Sequence, residues 1–314
     1  MRIRSLAASL MFALATVASA ADPQLLSLVM PDAKVLSGFN VDQIRVSPFG
    51  QFILSQMMID SGFNELVSVT GFDPRRDVHE VVMASPGDPQ RKVALLVVRA
   101  TFDTARVVAL AQSSGVTPEN YHGAILFTSG KKEAIPHGVA FLDNAILVAG
   151  DLDSVRAAVD RRGTASGLSS DVLNKVSQTS ANQDAWIVSS VPLSSLAAVA
   201  PDRNVKGALQ GDLLKSVEQA SGSLKFGNII EVNGELAAHT AQDASSLADV
   251  LRFLLNLAQS SASGQAAQFA GLLKSLTVSA QASAVKLTGS IPETDLETLI
   301  KLASTTRQAP RPRI

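Results

Sequence analysis

Side chains able to do chemistry are few in this chain and widely spaced. Cysteine is absent, so disulfides, thiolate nucleophiles and cysteine metal sites are excluded, as is a lipid anchor on an export-site cysteine. Four histidines remain: His79, His122, His137 and His239. His79-Glu80 opens like H-E-x-x-H but lacks the second histidine, and neighbours on a strand point to opposite faces. Ser129-Gly130-Lys131-Lys132 fits S-x-x-K, yet the S-D-N and K-T-G segments that complete that acyl-transfer machinery are missing. No G-x-S-x-G, G-x-G-x-x-G or phosphate loop occurs, and no acidic pair can be placed across a cleft for glycoside chemistry. Asp73-Pro74-Arg75-Arg76-Asp77 concentrates charge in a loop. Its arginine forks suit a carboxylate or phosphate, while a solvated turn is the plainer role. The pattern predicts no metal, no cofactor and no catalytic residue.

The N-terminus reads as a cleavable export signal over residues 1–20. Arg2 and Arg4 make a basic start, Leu6 to Val17 an apolar stretch too short to span a bilayer, and Ala18-Ser19-Ala20 a small-residue cleavage site before Ala21. The expected location is periplasmic or secreted. Cleavage leaves 25 basic against 28 acidic residues, a net charge of −3, which gives nucleic acid nothing to bind. No transmembrane segment is expected in the mature chain. With one Tyr and one Trp, stacking platforms for sugars or single strands are scarce.

The elements expected to position any site alternate between strands and amphipathic helices. Ser47-Pro48 reads as a helix start. His79 to Ala84 and Lys92 to Ala100 read as a hairpin across Ser85–Pro89, followed by a helix capped by Asp103. Tyr121 to Thr128 reads as one strand, and Gly138 to Leu142 with Ala145 to Ala149 as a hairpin. Asp151 caps a helix that ends at Arg161-Arg162-Gly163. Residues 164–184 read as a linker and connecting segment. Beyond it, Ala185 to Val191 is a strand, Pro192 starts a helix, and Leu213, Leu214 and Val217 sit on another. Asn233-Gly234 predicts a hairpin between Ser223 to Val232 and Glu235 to Thr240. Asp243 then caps a helix, and Thr277 to Ser283 pairs with Val285 to Ser290.

This order recurs. Val81 to Leu110 matches Ile229 to Leu251 as strand, turn, strand and Asp-started helix, at an offset of 140 between Asp103 and Asp243. The expected fold is α+β: antiparallel sheets with amphipathic helices in two pseudo-repeated split-βαβ, ferredoxin-like halves over 21–163 and 185–304. A disordered tail is expected over 305–314.

Met30-Pro31-Asp32-Ala33, Gly38-Phe39-Asn40-Val41 and Ser47-Pro48-Phe49-Gly50 resemble the opening of certain secreted bacterial proteins of unknown function. The resemblance covers about the first tenth of the mature chain, implies repeated α+β modules behind a signal peptide, and carries no active site. No S-P-F-G occurs in the second half.

These observations predict an exported, non-catalytic binding or assembly protein with an unknown protein partner or self-association. The helix from Ser245 to Gln259 carries a single polar stripe, Asp249, Arg252, Asn256 and Gln259, so it needs cover on two sides. Phe253, Leu257 and, on the following segment, Phe269 are the candidate interaction surface. A second reading is a carrier or sensor of an apolar ligand, contacted by Phe49, Phe52 and Phe63. A third is a hydrolase in which His137, Lys132 and an acid meet in one cleft.

Overall fold

The protein is described by a computed structural model covering residues 20–56, 61–88, 93–129, 136–192, 215–261, 272–298 and 300. The expected export signal, the helix expected from Pro192 and the expected tail fall largely or wholly outside the described residues. It is a mixed α+β fold with antiparallel sheet. Twelve strands form one sheet in the order β11-β12-β10-β9-β8-β1-β2-β3-β7-β6-β5-β4. They are β1 (Val35–Asn40), β2 (Val78–Ser85), β3 (Leu95–Ala100), β4 (Glu119–Tyr121), β5 (Ala124–Thr128), β6 (His137–Phe141), β7 (Ile146–Asp151), β8 (Ala185–Ser189), β9 (Val217–Lys225), β10 (Ile229–Ala238), β11 (Thr277–Gln281) and β12 (Ala284–Pro292). The strands expected before residue 163 and those after 185 meet in the antiparallel β1–β8 pair, so a single sheet runs through both.

Within that sheet, the order β1-β2-β3-β7-β6 runs one way from the junction, and β8-β9-β10-β12-β11 runs the other. Every pairing is antiparallel. This corrects the split-βαβ, ferredoxin-like expectation, which requires parallel central strands. Here β1 and β2 pair directly, although a run of helices separates them in sequence.

One row of side chains explains why the sheet holds. Trp186, Gly38, Val82, Val97, Val148, Ala140 and Leu126 are successive cross-strand partners from β8 to β5, all on one face and all buried. They meet Leu25 and Leu28 of α1 (Pro23–Leu28), Val155 and Val159 of α7 (Leu152–Asp160), and Val176 of α8 (Ser170–Ser180). The segment expected as a linker therefore holds a core helix. On the opposite face, α6 (Thr104–Ser113) covers an aromatic cluster in the first half, and α9 (Ala241–Ser261) packs Ala244, Leu247 and Ala248 on Val278 and Val285. The short helices α2 (Val41–Val46), α3 (Pro48–Gln56), α4 (Ser61–Thr70) and α5 (Pro74–Asp77) fill the connection from β1 to β2.

Several local signals read as expected. The Ser47 hydroxyl accepts from the Gly50 amide, and Asp103 and Asp151 accept from Arg106 and Ser154 as N-caps. Others are corrected. Tyr121 to Thr128 is a tight hairpin, with His122 (φ 48°) and Gly123 (φ 85°) in left-handed backbone. Val217 lies on a strand, while Leu213 and Leu214 lie outside the described residues. Asn233-Gly234 sits inside continuous β10, paired on both edges, and the turn falls at Phe226-Gly227-Asn228. That turn is held by Asp184, which accepts from the Phe226 amide and from Lys225 Nζ at 2.9 Å. A specific tertiary anchor there outweighs the local preference of Asn-Gly. Thr240, rather than Asp243, caps α9: its hydroxyl accepts from the Asp243 amide at 3.1 Å and donates to the Asp243 carboxylate at 2.7 Å, a reciprocal cap.

Candidate functional site

The space between the end of β3 and α6 forms a cleft of about 480 Å³, within the range of small-molecule sites. Its walls come from three places where a chain element ends. α4 ends at Gly71, whose φ of 74° turns the chain so that Phe72 enters the wall. β3 runs out into Thr101-Phe102-Asp103, and β6 ends at Phe141. Phe72 stacks on Phe102 at 5.2 Å, and Phe102 meets Phe141 edge-on at 5.1 Å. Val107 of α6 and Leu147 of β7 complete the apolar lining.

Four charged residues are among its lining: Arg76, Asp77, Asp103 and Arg106. Three are engaged. Arg76 grips Asp77 through Nε at 2.7 Å and Nη2 at 2.8 Å, and Asp103 serves as the α6 cap. Arg106 donates only to a neutral group, the Val69 carbonyl at 2.9 Å, and no carboxylate pairs with it among the described residues. The charged loop found in the sequence thus spends its forks internally, since Arg75 likewise holds Asp73. Those partners, Arg75 for Asp73 and Arg76 for Asp77, keep both carboxyl groups below the ordinary aspartate range.

Beside this cleft lies a polar relay. β2 carries a bulge: Val78 pairs with Ala100 and Glu80 with Arg99, which leaves His79 as the extra residue. Its Nδ1 stands 3.1 Å from both Asp42 carboxylate oxygens, and its Nε2 stands 3.2 Å from Thr101 Oγ1. Asp42 lies in the first turn of α2 and also accepts from Arg45 at 3.0 Å. Arg45 is itself fixed by the Arg75 and Val78 carbonyls, each at 2.7 Å. The Thr101 amide donates to the Asp77 carbonyl at 2.8 Å, and Thr101 lines the cleft.

The residues singled out from sequence lie elsewhere. Phe49 is buried, contacts Phe52 at 6.2 Å and meets Phe226 edge-on at 5.3 Å, so it ties α3 to the β9–β10 turn. The side chain of Phe63 lies outside the described residues, as do Phe269 and Lys132. Phe253 and Leu257 are exposed on α9. His137 lies on β6, where its amide donates to Ser129 Oγ. A second, polar cleft of about 300 Å³ lies over β9, β10 and β12, where Gly222 and Gly234 form part of the lining beside the Lys175–Glu235 ion pair at 2.7 Å. Sequence reasoning missed Phe72, Phe102, Phe141 and Thr101. The available signal was Phe72-Asp73 and Phe102-Asp103: in each pair an aromatic residue directly precedes a helix cap.

No family model matches the chain, and no curated protein matches it. Among solved structures it is similar to TP0453 in its crystal form I, with a TM-score of 0.50 and 10% identity over 91% of this chain and 98% of that one. At that identity the likeness speaks to the fold alone.

Proposed function

We propose that this is an exported protein whose cleft between β3 and α6 holds a small amphipathic molecule, with an apolar body and one carboxylate or carbonyl end. The observation that carries the reading is the Phe72–Phe102–Phe141 wall with Arg106, a cation without a carboxylate partner among the described residues, in the same lining. An apolar lining with few convergent polar groups is what such ligands require. Export is supported by the basic start at Arg2 and Arg4, the apolar stretch Leu6 to Val17 and the Ala18-Ser19-Ala20 site, and the residues after that site are built into the fold. Ala21 is buried with its amide on Ser180 Oγ at 3.0 Å, the Asp22 amide donates to Glu80 at 2.9 Å, and the Asp22 carboxylate pairs with Arg99. The mirrored strand orders on either side of β1–β8 support an internal duplication.

Titration of the mature protein with decanoate and with decanol, followed by calorimetry, tests the reading. Both are expected to saturate one site, decanoate more tightly, and Arg106→Gln is expected to erase the preference. No saturable binding of either compound overturns it.

A second reading, self-assembly through α9, is favoured by a separate observation. Val250, Phe253, Leu254 and Leu257 form an exposed stripe at helical spacing.

A further inference from the structure

We propose that the relay beside the cleft is an acyl-transfer centre: Thr101 is the nucleophile, His79 its general base, Asp42 the residue that orients the imidazole, and the substrates are esters of medium-length apolar acids. The proposal rests on the cleft being a ligand site and adds a reaction to it.

Four observations converge. The order carboxylate, imidazole, hydroxyl is complete, with Asp42 on Nδ1 and Thr101 on Nε2 at 3.1 and 3.2 Å. A carboxylate at Nδ1 selects the tautomer that carries its proton there, which leaves Nε2 free to accept from the hydroxyl. A contact of 3.2 Å is ordinary for a base and nucleophile before substrate arrives. The β-bulge is the second observation. His79 is the unpaired residue of β2, and bulges re-aim side chains beside active sites. Thirdly, Thr101 immediately follows β3 and α6 begins at Thr104, so the hydroxyl stands between a strand end and a helix start. Asp103, Arg106 and Val107, at the start of α6, line the same cleft. The Arg106 amide is taken by the Asp103 carboxylate, so the amides ahead of it, with the helix dipole, are the ones that favour negative charge developing on an ester oxygen. Finally, the apolar wall would receive the acyl chain, and Arg106, in the lining of the same cleft, offers a cation to a released carboxylate.

The chemistry balances with water as the only co-reactant. Thr101 Oγ attacks the ester carbonyl carbon while His79 Nε2 takes the hydroxyl proton. Collapse of the tetrahedral adduct breaks the bond to the alcohol oxygen, which leaves with the proton from His79, and an acyl-threonine ester remains. Water gives a proton to His79 and its oxygen attacks that ester. The carboxylic acid departs, and Thr101 recovers its proton from His79.

The test uses the whole mature protein with p-nitrophenyl decanoate and p-nitrophenyl acetate, beside decanoate binding by native mass spectrometry. Wild type is expected to hydrolyse the decanoate ester above the buffer rate and in preference to acetate. Thr101→Val and His79→Gln are expected to lose roughly a hundredfold or more, the usual contribution of a positioned base. Thr101→Ser should retain turnover. Asp42→Asn should lower kcat with KM unchanged, which loss of packing alone would not do. Wild-type hydrolysis at the buffer rate, or equal hydrolysis by Thr101→Val, with decanoate still bound overturns the relay and leaves the binding reading intact. Loss of binding in the wild type removes both.

Discussion

Trp186 of β8 lies directly over Gly38 of β1, where the two halves of the sheet join. A Cβ at position 38 would stand 2.6 Å from the indole Cε2 and Nε1. The indole is buried, so it has little room to retreat. Gly38→Ala is therefore expected to cost about 1–3 kcal/mol through overpacking. Urea unfolding measures the loss. The emission of Trp186, the single tryptophan, reports whether the ring has moved. An unchanged midpoint and unchanged emission would mean that the junction is plastic.

Asp184 is the polar counterpart of that apolar joint. Its side chain is 1% exposed and binds the Phe226 amide and Lys225 Nζ, so it fixes the β9–β10 turn from the residue just before β8. Asp184→Ala strands a half-buried amide and the Lys225 head, and is expected to cost about 2 kcal/mol. Lys225→Met should cost less, because the lysine head is partly solvated. Chemical denaturation of both variants decides the order; the reverse order would assign the turn to the lysine.

The fold class and most local boundaries were legible because they rest on short-range signals: the Asp103 and Asp151 caps, the Ser47 cap and the Asp143-Asn144 turn. Strand pairing was less legible. Asn233-Gly234 carries a strong local turn preference, but its backbone is paired on both sides by β9 and β12, and Asp184 builds the turn elsewhere. The cleft was hardest to read. Phe72, Phe102 and Phe141 converge from three chain segments up to 69 residues apart. His79 and Thr101 meet only because a bulge shifts one strand by a residue. Nothing in the spacing of the sequence encodes that shift.

Two groups of carboxylates set opposite pH dependences. Asp73 and Asp77 have folded-state values lowered by Arg75 and Arg76, so their contribution is present above the ordinary aspartate range and is lost as pH falls through the depressed values. Glu80 is raised, first by burial, so its contribution is present below the ordinary glutamate range and is lost as pH rises through the raised value. Thermal melts should show a falling limb on acidification that Asp77→Asn reduces. Glu80→Gln should flatten the decline on the higher-pH side, since an amide oxygen can still accept from Asp22. An unchanged profile in both variants removes the assignment.

α9 presents three stripes with different environments. Ala244, Leu247, Ala248, Leu251 and Leu255 face the sheet. Arg252 and Gln259, on the polar stripe, donate to the Val278 and Leu273 carbonyls, each at 3.1 Å, which fixes that side toward β11 and the chain before it. Val250, Phe253, Leu254 and Leu257 remain as a third, apolar stripe, and Phe253 is 64% exposed. No helix among the described residues is long and apolar enough to cross a membrane, and the acidic groups Asp243 and Asp249 on α9 disfavour an anionic lipid surface. The assembly reading proposed above has a second copy of the chain cover this stripe. Leu247→Asp is expected to unfold the domain, because it places an unpaired charge in the core. Phe253→Asp should change stability by no more than about 0.5 kcal/mol, as surface substitutions do. Under the assembly reading, the wild type sediments as a dimer at high micromolar concentration and Phe253→Asp as a monomer. A monomeric wild type under those conditions ends that reading. Unfolding of Phe253→Asp instead makes the stripe part of the core.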